Sequence, residues 1–544
     1  MTGKHDSRWL ALAVLAGSLA MIVLDGTIVG VSLPSMIDAL CMDLTQAQWV
    51  NSLYSVVLAA LLMTAGRLGD RIGRRKLLAI GVALFVAGSL IAAMSPNAAT
   101  LIGARAIQGI GGAAVLPSTL SSVNSIFRGK ERAAAFGVWG AVMSGAAAIG
   151  PLLGGAFTTY LDWRWIFWVN LPLGLLVLWG IWKAVPETTV EHKEHGVDVL
   201  GVLLSAVGFG LLVFALIEGP SWGWWTPKAA ANIGPFTWPA DAALSLIPIF
   251  GLLAIFSLVA FVLWELARNK KGLSTLLDLS LFSYTTFSWG NATAMMVAVG
   301  EFGLLLVLPL FLINVLGNDA MGAGLILAGM AAGAFLSGAM ARHLADRLGA
   351  DRVVVLGLGM EIVGVLGMAW VLEIGSPLFP MIALLVFYGL GLGLASAQLT
   401  STVLRDIPTA ASGQGSATQS TLRQLGSGLG TAIAGSVLAI ATTHAATTSL
   451  GALNVKGLDA GSWAQKLSDS AGGIIPQIQH SPAMFGPQSA QVADAMSDAF
   501  TKGVQAAIIA SVIALAIGWL GSLMVSKAAR AVPSAKHVER NETR

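Results

Sequence analysis

The chain has 544 residues, of which 56% are apolar and only 11% charged. A soluble domain carries about 25% charged residues, so a water-facing surface of this size cannot be covered and much of it must face lipid. The net charge of +3 is too small for a nucleic-acid-binding face, and the single cysteine, Cys41, excludes an internal disulfide and any cysteine-built metal site.

A membrane helix needs about 20 apolar residues. Fourteen spans are expected, near 8–33, 46–65, 77–95, 100–126, 132–159, 164–184, 197–217, 244–267, 283–313, 320–341, 352–372, 378–403, 412–443 and 502–526. The first is not a cleaved leader: it is too long, contains Asp25 and has no small-residue cleavage site before Pro34. The pair His192-x-x-His195 reads as part of a solvated loop rather than a metal site, and no metal is expected. The connection 218–243 holds Trp222, Trp224, Trp225 and Trp238 and reads as an interfacial anchor. The connection 444–501 is polar, with an amphipathic helix expected near 488–500.

Orientation follows from lysine and arginine, which accumulate on the cytoplasmic side. With the N-terminus in the cytoplasm, 24 of the 31 fall in inside loops and the tail and 5 in outside loops; Arg105 and Arg423 lie within spans. An odd number of spans would destroy this asymmetry, so both termini are expected to be cytoplasmic.

The loop after the second span contains Gly66, Asp70, Arg71, Gly73, Arg74 and Arg75, and the loop after the tenth repeats its Asp-Arg-x-Gly with Asp346 and Arg347. The two aspartates are 276 residues apart, a distance of eight spans where two six-helix halves would give six. The seventh and eighth spans therefore read as an insertion. The expected fold is an all-α membrane protein of two related six-helix bundles, residues 1–184 and 281–526, with two inserted helices in 185–280 and a cytoplasmic tail, 527–544; parallel repeats around a central site are a transporter architecture. A cluster of cations around one carboxylate in a tight turn suits a gate between the cytoplasmic faces of the bundles.

A charge inside hydrocarbon costs at least about 2.5–3.5 kcal/mol on insertion scales and usually serves function. The charges within spans are Asp25, Arg105, Glu301, Glu361 and Arg423. At 1.5 Å per residue, Asp25 and Arg105 lie about 12 and about 8 Å from the outer ends of their helices, a depth at which they can pair, and Glu301 and Arg423 lie near the midplane, about 17 Å from the outer and the inner end of theirs, respectively. A carboxylate beside an arginine stays ionised, and one released into an apolar cavity takes up a proton. Glu361 reads as a buried structural bond.

Specific motifs accompany these charges. Gly66 to Leu78 resembles the signature loop of the major facilitator superfamily, and Leu24-Asp25-Gly26-Thr27 through Pro34 resembles the first-helix motif of its fourteen-helix drug:proton antiporters of the QacA/EmrB type. Arg105 to Gly111 is similar to their fourth-helix motif, and Arg423-Gln424-Leu425-Gly426 to one on their thirteenth helix. Gly145, Gly150, Pro151, Gly154 and Gly155 resemble the fifth-helix motif associated with antiport. Gly30 and Ser32 stand where the family usually has Asn and Ala, and the 444–501 connection is longer than in many members.

The resemblance implies proton coupling through Asp25 and Arg105, and a substrate cavity with Glu301, Gln108, Arg423 and Gln424 as candidates. It implies export of hydrophobic or cationic drugs, protons as the only coupling ion, no cofactor, a monomer, and a bacterial plasma membrane. The alternatives are an exporter of one endogenous lipid or metabolite and a polytopic membrane enzyme. The enzyme is disfavoured because the loops offer no repeated acid–histidine set, and an ATP-driven pump because no G-x-x-x-x-G-K-[ST] loop occurs.

Overall fold

The computed structural model describes residues 2–127, 129–187, 198–228, 231–233, 236–273, 275–277, 279–407, 412–453, 455, 458–480 and 485–531. The His192–His195 pair and most of the C-terminal tail lie outside them. The chain runs α1 (Thr2–Leu40), α2 (Leu44–Ile72), α3 (Arg74–Ala93), α4 (Ala98–Ile126), α5 (Gly129–Tyr160), α6 (Trp165–Trp168), α7 (Asn170–Ala184), α8 (Val199–Trp222), β1 (Ala231–Ile233), β2 (Phe236–Trp238), α9 (Leu246–Lys270), α10 (Thr285–Asn314), α11 (Ala320–Leu348), α12 (Ala350–Val371), α13 (Leu378–Val403), α14 (Ser412–Ala452), α15 (Ala460–Asp469), α16 (Ile474–His480) and α17 (Ser489–Ala531).

Among the described residues, twelve helical stretches are long and apolar enough to cross a membrane, with α6 and α7 forming one of them. α2 and α5, of 29 and 32 residues, occupy the two other expected positions. Several starts follow from capping chemistry. Asp43 and Gln46 form a reciprocal box at α2, and Asn97 and Asp319 accept from backbone amides at the starts of α4 and α11.

The helices gather into two packed groups. α1 packs on α5 and α7, and α4 on α2 and α3; in the second group α10 packs on α14 and α17, and α13 on α11 and α12. α8 and α9 pack chiefly on each other, and α8 also touches α2 and α14, one helix from each group. The central stretch of α10 is 78% buried while those of α8 and α9 are only 33% and 28% buried. α8 and α9 therefore lie at the rim of the bundle, with many apolar side chains exposed.

The groups meet through α5 on α11 and α2 on α14. Met321 N donates to Thr159 Oγ1 at 2.9 Å, and a Cβ at Gly324 would lie 2.6 Å from the Pro151 carbonyl oxygen. Ser52 Oγ and Thr431 Oγ1 share a hydrogen bond of 2.7 Å, and the Gln48 side chain fills the space a Cβ at Gly435 would need. These contacts lie in the half of the bundle away from the 66–76 and 342–352 turns, so the two groups close on each other at that end.

The structure adds detail in three places. The first helix continues through Pro34 to Leu40. The 218–243 connection contains a small antiparallel ribbon pairing Ala231 with Trp238, and Trp238 Nε1 donates to the Leu244 carbonyl at 2.9 Å. The 444–501 connection is largely helical, because α14 and α17 run beyond the apolar spans and α15 and α16 fill the space between. The amphipathic stretch near 488–500 is the start of α17 itself. This segment forms a cap whose apolar side chains join the core of the bundle, with Leu467, Ile475, Ile478 and Phe500 fully buried. Asn314 Nδ2 of α10 donates to the Ala471 carbonyl at 2.9 Å, and hydrogen bonds from Ser462 hold the exposed Asp459 carboxyl at the start of α15 below the usual carboxylate range.

Candidate functional site

Asp25 sits on α1, and Arg105 and Gln108 sit on α4 one turn apart, so both α4 side chains reach the same spot. Arg105 donates from Nη1 to Asp25 Oδ2 and to Gln108 Oε1 at 2.8 Å, and from Nε to the Val50 carbonyl of α2 at 3.0 Å. Gln108 Nε2 donates to Asp25 Oδ1 at 2.9 Å and to Ser89 Oγ of α3 at 2.8 Å. Asn170 Nδ2 of α7 donates to the same Asp25 oxygen at 3.1 Å. The guanidinium lies 4.3 Å from the centre of the Tyr54 ring. Asp25, Arg105, Gln108 and Asn170 are all 0% exposed, so an ion pair bridged by amides is sealed among five helices. The low dielectric of such a place strengthens every one of these bonds.

The second group holds a looser pair. Arg423 Nη2 of α14 lies 3.4 Å from Glu301 Oε2 of α10, with the arginine side chain 37% exposed and the carboxyl 6%. Glu301 Oε1 has no hydrogen-bond partner among the described residues. Gln424, beside Arg423, accepts from the Ser427 hydroxyl at 3.2 Å. Glu361 of α12 is 0% exposed, and neither of its carboxyl oxygens has a hydrogen-bond partner among the described residues. The structural bond expected there is not made among the described residues, where α12 meets α13 closely through the glycines Gly357, Gly364 and Gly391.

Gln108, expected in a substrate cavity, is instead a buried member of the Asp25 cluster. Asn170, Ser89 and Tyr54 complete that cluster and were not expected from the sequence. Asn170 carried a weak signal, a lone amide between Val169 and Leu171 in an apolar run; a serine or tyrosine there looks like ordinary packing.

The glycine run of α5 divides between two faces. Gly150 and Gly154 press against Thr27 and Ile28 of α1, beside Asp25, while Gly155 and Pro151 press against Ala320 and Gly324 of α11 in the other group. A Cβ at Gly154 would lie 2.7 Å from the Ile28 carbonyl oxygen. Gly145 has open space around it. α5 thus touches both the Asp25 helix and the opposite group through backbone.

The basic turn repeats in detail. Gly73 and Gly349 have φ of +105° and +92°, and each closes its helix by donating to the carbonyl four residues back, Gly69 and Ala345, at 3.0 and 2.9 Å. Gly66 packs inside α2 against Pro117. Arg74 Nη1 donates to the Ser121 carbonyl at 3.0 Å, Arg75 Nη2 to the Trp182 carbonyl at 2.9 Å, and the Arg75 amide to Glu187 Oε1 at 3.1 Å. These bonds knit the end of the first group to itself. Asp346 and Arg347 are exposed, and the side chains of Asp70 and Arg71 lie outside the described residues.

The profile of the Major Facilitator Superfamily matches residues 15–431. The chain belongs to the major facilitator superfamily. Membership makes it a membrane transporter rather than an enzyme. It is similar to the multidrug resistance protein Stp of Mycobacterium tuberculosis (strain CDC 1551 / Oshkosh), 32% identical over 525 residues, 95% of this chain and 91% of that protein. It is also similar to the riboflavin transporter RibZ of Clostridioides difficile (strain 630), 28% identical over 80% of this chain and 90% of that protein. Among solved structures, a bacterial homolog of the human lysosomal transporter Spinster, in an inward-facing and occupied conformation, superposes with a TM-score of 0.59 over 95% of this chain and 96% of that one, at 15% identity. That likeness concerns the superfamily fold alone.

Proposed function

We propose that the chain is a proton-coupled antiporter of a bacterial plasma membrane that exports hydrophobic or cationic drugs by alternating access. The observation that carries the coupling is the Asp25–Arg105 pair, sealed at 0% exposure and bridged by Gln108 and Asn170. Helix movement that parts Asp25 from the guanidinium and the amides is the step that this reading couples to the proton. The likeness to Stp supports drugs as the substrate class.

Fourteen spans with both termini cytoplasmic, in two six-helix bundles and an inserted pair, fit the helices and the lysine and arginine distribution. In that orientation the closed end is the outer one and the structure faces the cytoplasm. Arg423, partly exposed, and the buried Glu301 beside it suit a cationic or polar group of the cargo. Protons are the only co-substrate this scheme needs, and one chain contains both halves of the site.

The deciding experiment is ethidium efflux from energised cells, comparing wild type with Asp25→Asn, with and without a protonophore. Efflux that collapses with the protonophore and in Asp25→Asn at normal expression is the expected result. Efflux indifferent to both would end the proton-coupled reading. The likeness to RibZ favours a second reading, export of one endogenous compound, in which ethidium is never moved and a single metabolite saturates transport.

A further inference from the structure

At the end of the first group on the side of the basic turns, the helix ends enclose a cavity of about 260 Å³. Arg8 of α1, Arg75 of α3, Ile126 of α4, Trp182 and Lys183 of α7, and Pro186 beyond α7 line it. Three cations thus face one space, and no carboxyl is among the described residues that line it. Arg75 donates from Nη2 to the Trp182 carbonyl, a bond of 2.9 Å that fixes the guanidinium without offsetting its charge. The Glu187 carboxyl turns to the backbone of Gly73 and Arg75 instead. Lys183 Nζ lies 4.8 Å from the centre of the Trp179 ring. Arg8 Nη1 is 3.9 Å from Glu131 Oε2, with the two side chains 50% and 42% exposed, a long pair that water screens. An anion in the cavity would meet two guanidinium groups and an ammonium, the donors that suit phosphate oxygens.

Position narrows the occupant to a lipid. The apolar stretch of α1 begins at Arg8, that of α3 begins one residue before Arg75, and that of α7 ends one residue after Lys183. All three cations therefore stand where hydrocarbon gives way to water. From the cavity into the membrane, α7 exposes Trp182, Trp179, Leu176 and Leu175, a stripe along one helix face. Tryptophan is the side chain that settles at the membrane interface. A soluble phosphate compound would use the cations and leave the stripe idle, whereas a phospholipid uses both. Basic pockets between membrane helices are places where acidic headgroups bind. The volume of about 260 Å³ also falls below the roughly 300 Å³ at which sites for drug-sized molecules begin, so the exported compound is the poorer fit.

We propose that this cavity binds the headgroup of an anionic phospholipid from the leaflet on the side of the basic turns, with its chains along α7. The bound lipid ties α1, α3 and α7 together at that end, and α1 and α7 are the helices that carry Asp25 and Asn170. The site does not depend on which compound is exported.

The test uses the full chain purified in detergent, with dioleoyl-phosphatidylglycerol and dioleoyl-phosphatidylcholine as probes and native mass spectrometry as the readout. Wild type is expected to retain phosphatidylglycerol about fivefold or more over phosphatidylcholine, since each cation near a membrane surface contributes about that factor toward an acidic lipid. Arg8→Gln with Lys183→Gln is expected to lose the preference. Lys270→Gln with Lys271→Gln, which removes two exposed cations at the end of α9 on the same side, is expected to keep it. Equal loss in both double variants reduces the effect to general charge attraction and overturns the site, as does a preference that survives Arg8→Gln with Lys183→Gln. A second measurement needs only wild type, so it stands even where that variant fails to fold. A phosphatidylglycerol with a photoreactive headgroup is expected to crosslink to residues 179–186 or 8–11, in competition with unlabelled phosphatidylglycerol and not with phosphatidylcholine. Crosslinks confined to other parts of the chain overturn the proposal. Displacement of the lipid by glycerol 3-phosphate assigns the cavity to a soluble phosphate compound and also overturns it.

Discussion

Asp25 and Glu361 are both carboxyls buried at 0% exposure, yet their surroundings are opposite. Asp25 accepts from a guanidinium and two amides, whereas Glu361 has no hydrogen-bond partner among the described residues. Removing one partner from a buried ion pair costs about 3–5 kcal/mol, because the other charge is left uncompensated. Arg105→Ala is therefore expected to melt well below wild type in detergent, and the double variant Asp25→Ala, Arg105→Ala to recover part of the loss. A double variant less stable than Arg105→Ala would show that the pair is not what holds this cluster. Arg105→Lys separates charge from geometry. Lysine keeps the positive charge but lacks the planar fork that reaches Val50, Asp25 and Gln108 at once. Its initial rate of ethidium efflux, per amount of protein in the membrane, is expected to fall about tenfold or more.

At the scale of elements, the tight turns of the repeat constrain the sequence most. Gly73 and Gly349 combine φ of +105° and +92° with ψ of 132° and 143°, a region that side chains almost never adopt. Gly349→Ala should lower the unfolding free energy by about 1–3 kcal/mol. Gly73→Ala should lose more, since its Cβ would displace the Glu187 carboxylate that the Arg75 amide holds, whereas at Gly349 it meets the Asp351 carboxylate less closely, at 2.9 Å. Thermal melting of the two variants side by side checks the order. These turns were legible in the sequence because Asp-Arg-x-Gly occurs twice, and the spans because a helix of about 20 apolar residues matches the thickness of the hydrocarbon core. The pairing of Asp25 with Arg105 was legible from depth alone. The cap was not. Apart from the expected start of α17, its helices α15 and α16 are short, of 10 and 7 residues, and carry polar residues among the buried ones, so no lipid-facing run announces them. Asn170 stayed hidden for a different reason: its role depends on which helices touch, and the residues around it in the chain do not encode that.

In the proposed transport cycle, the contacts that join the two groups at one end must break. At the closed end the groups are joined by Ser52 with Thr431, by Met321 with Thr159, and by the backbone approaches of Pro151, Gly155, Ala320 and Gly324. None of these is a strong charge pair. Each hydrogen bond contributes only about 0.5–1.5 kcal/mol net, so the end is shut firmly by packing yet can be released by a modest shift in binding energy. An exporter needs this property, because the same end must open to let its cargo out. In a Cys41→Ser background, Ser52→Cys with Thr431→Cys places two thiols where the hydroxyl oxygens are 2.7 Å apart. Oxidation is expected to form a disulfide that stops efflux, and reduction to restore it. A disulfide that forms without stopping efflux would mean that this end stays closed throughout the cycle, and the cargo would then have to leave elsewhere. A double variant that transports normally when reduced and stops when oxidised ties the observed closure to one step of alternating access.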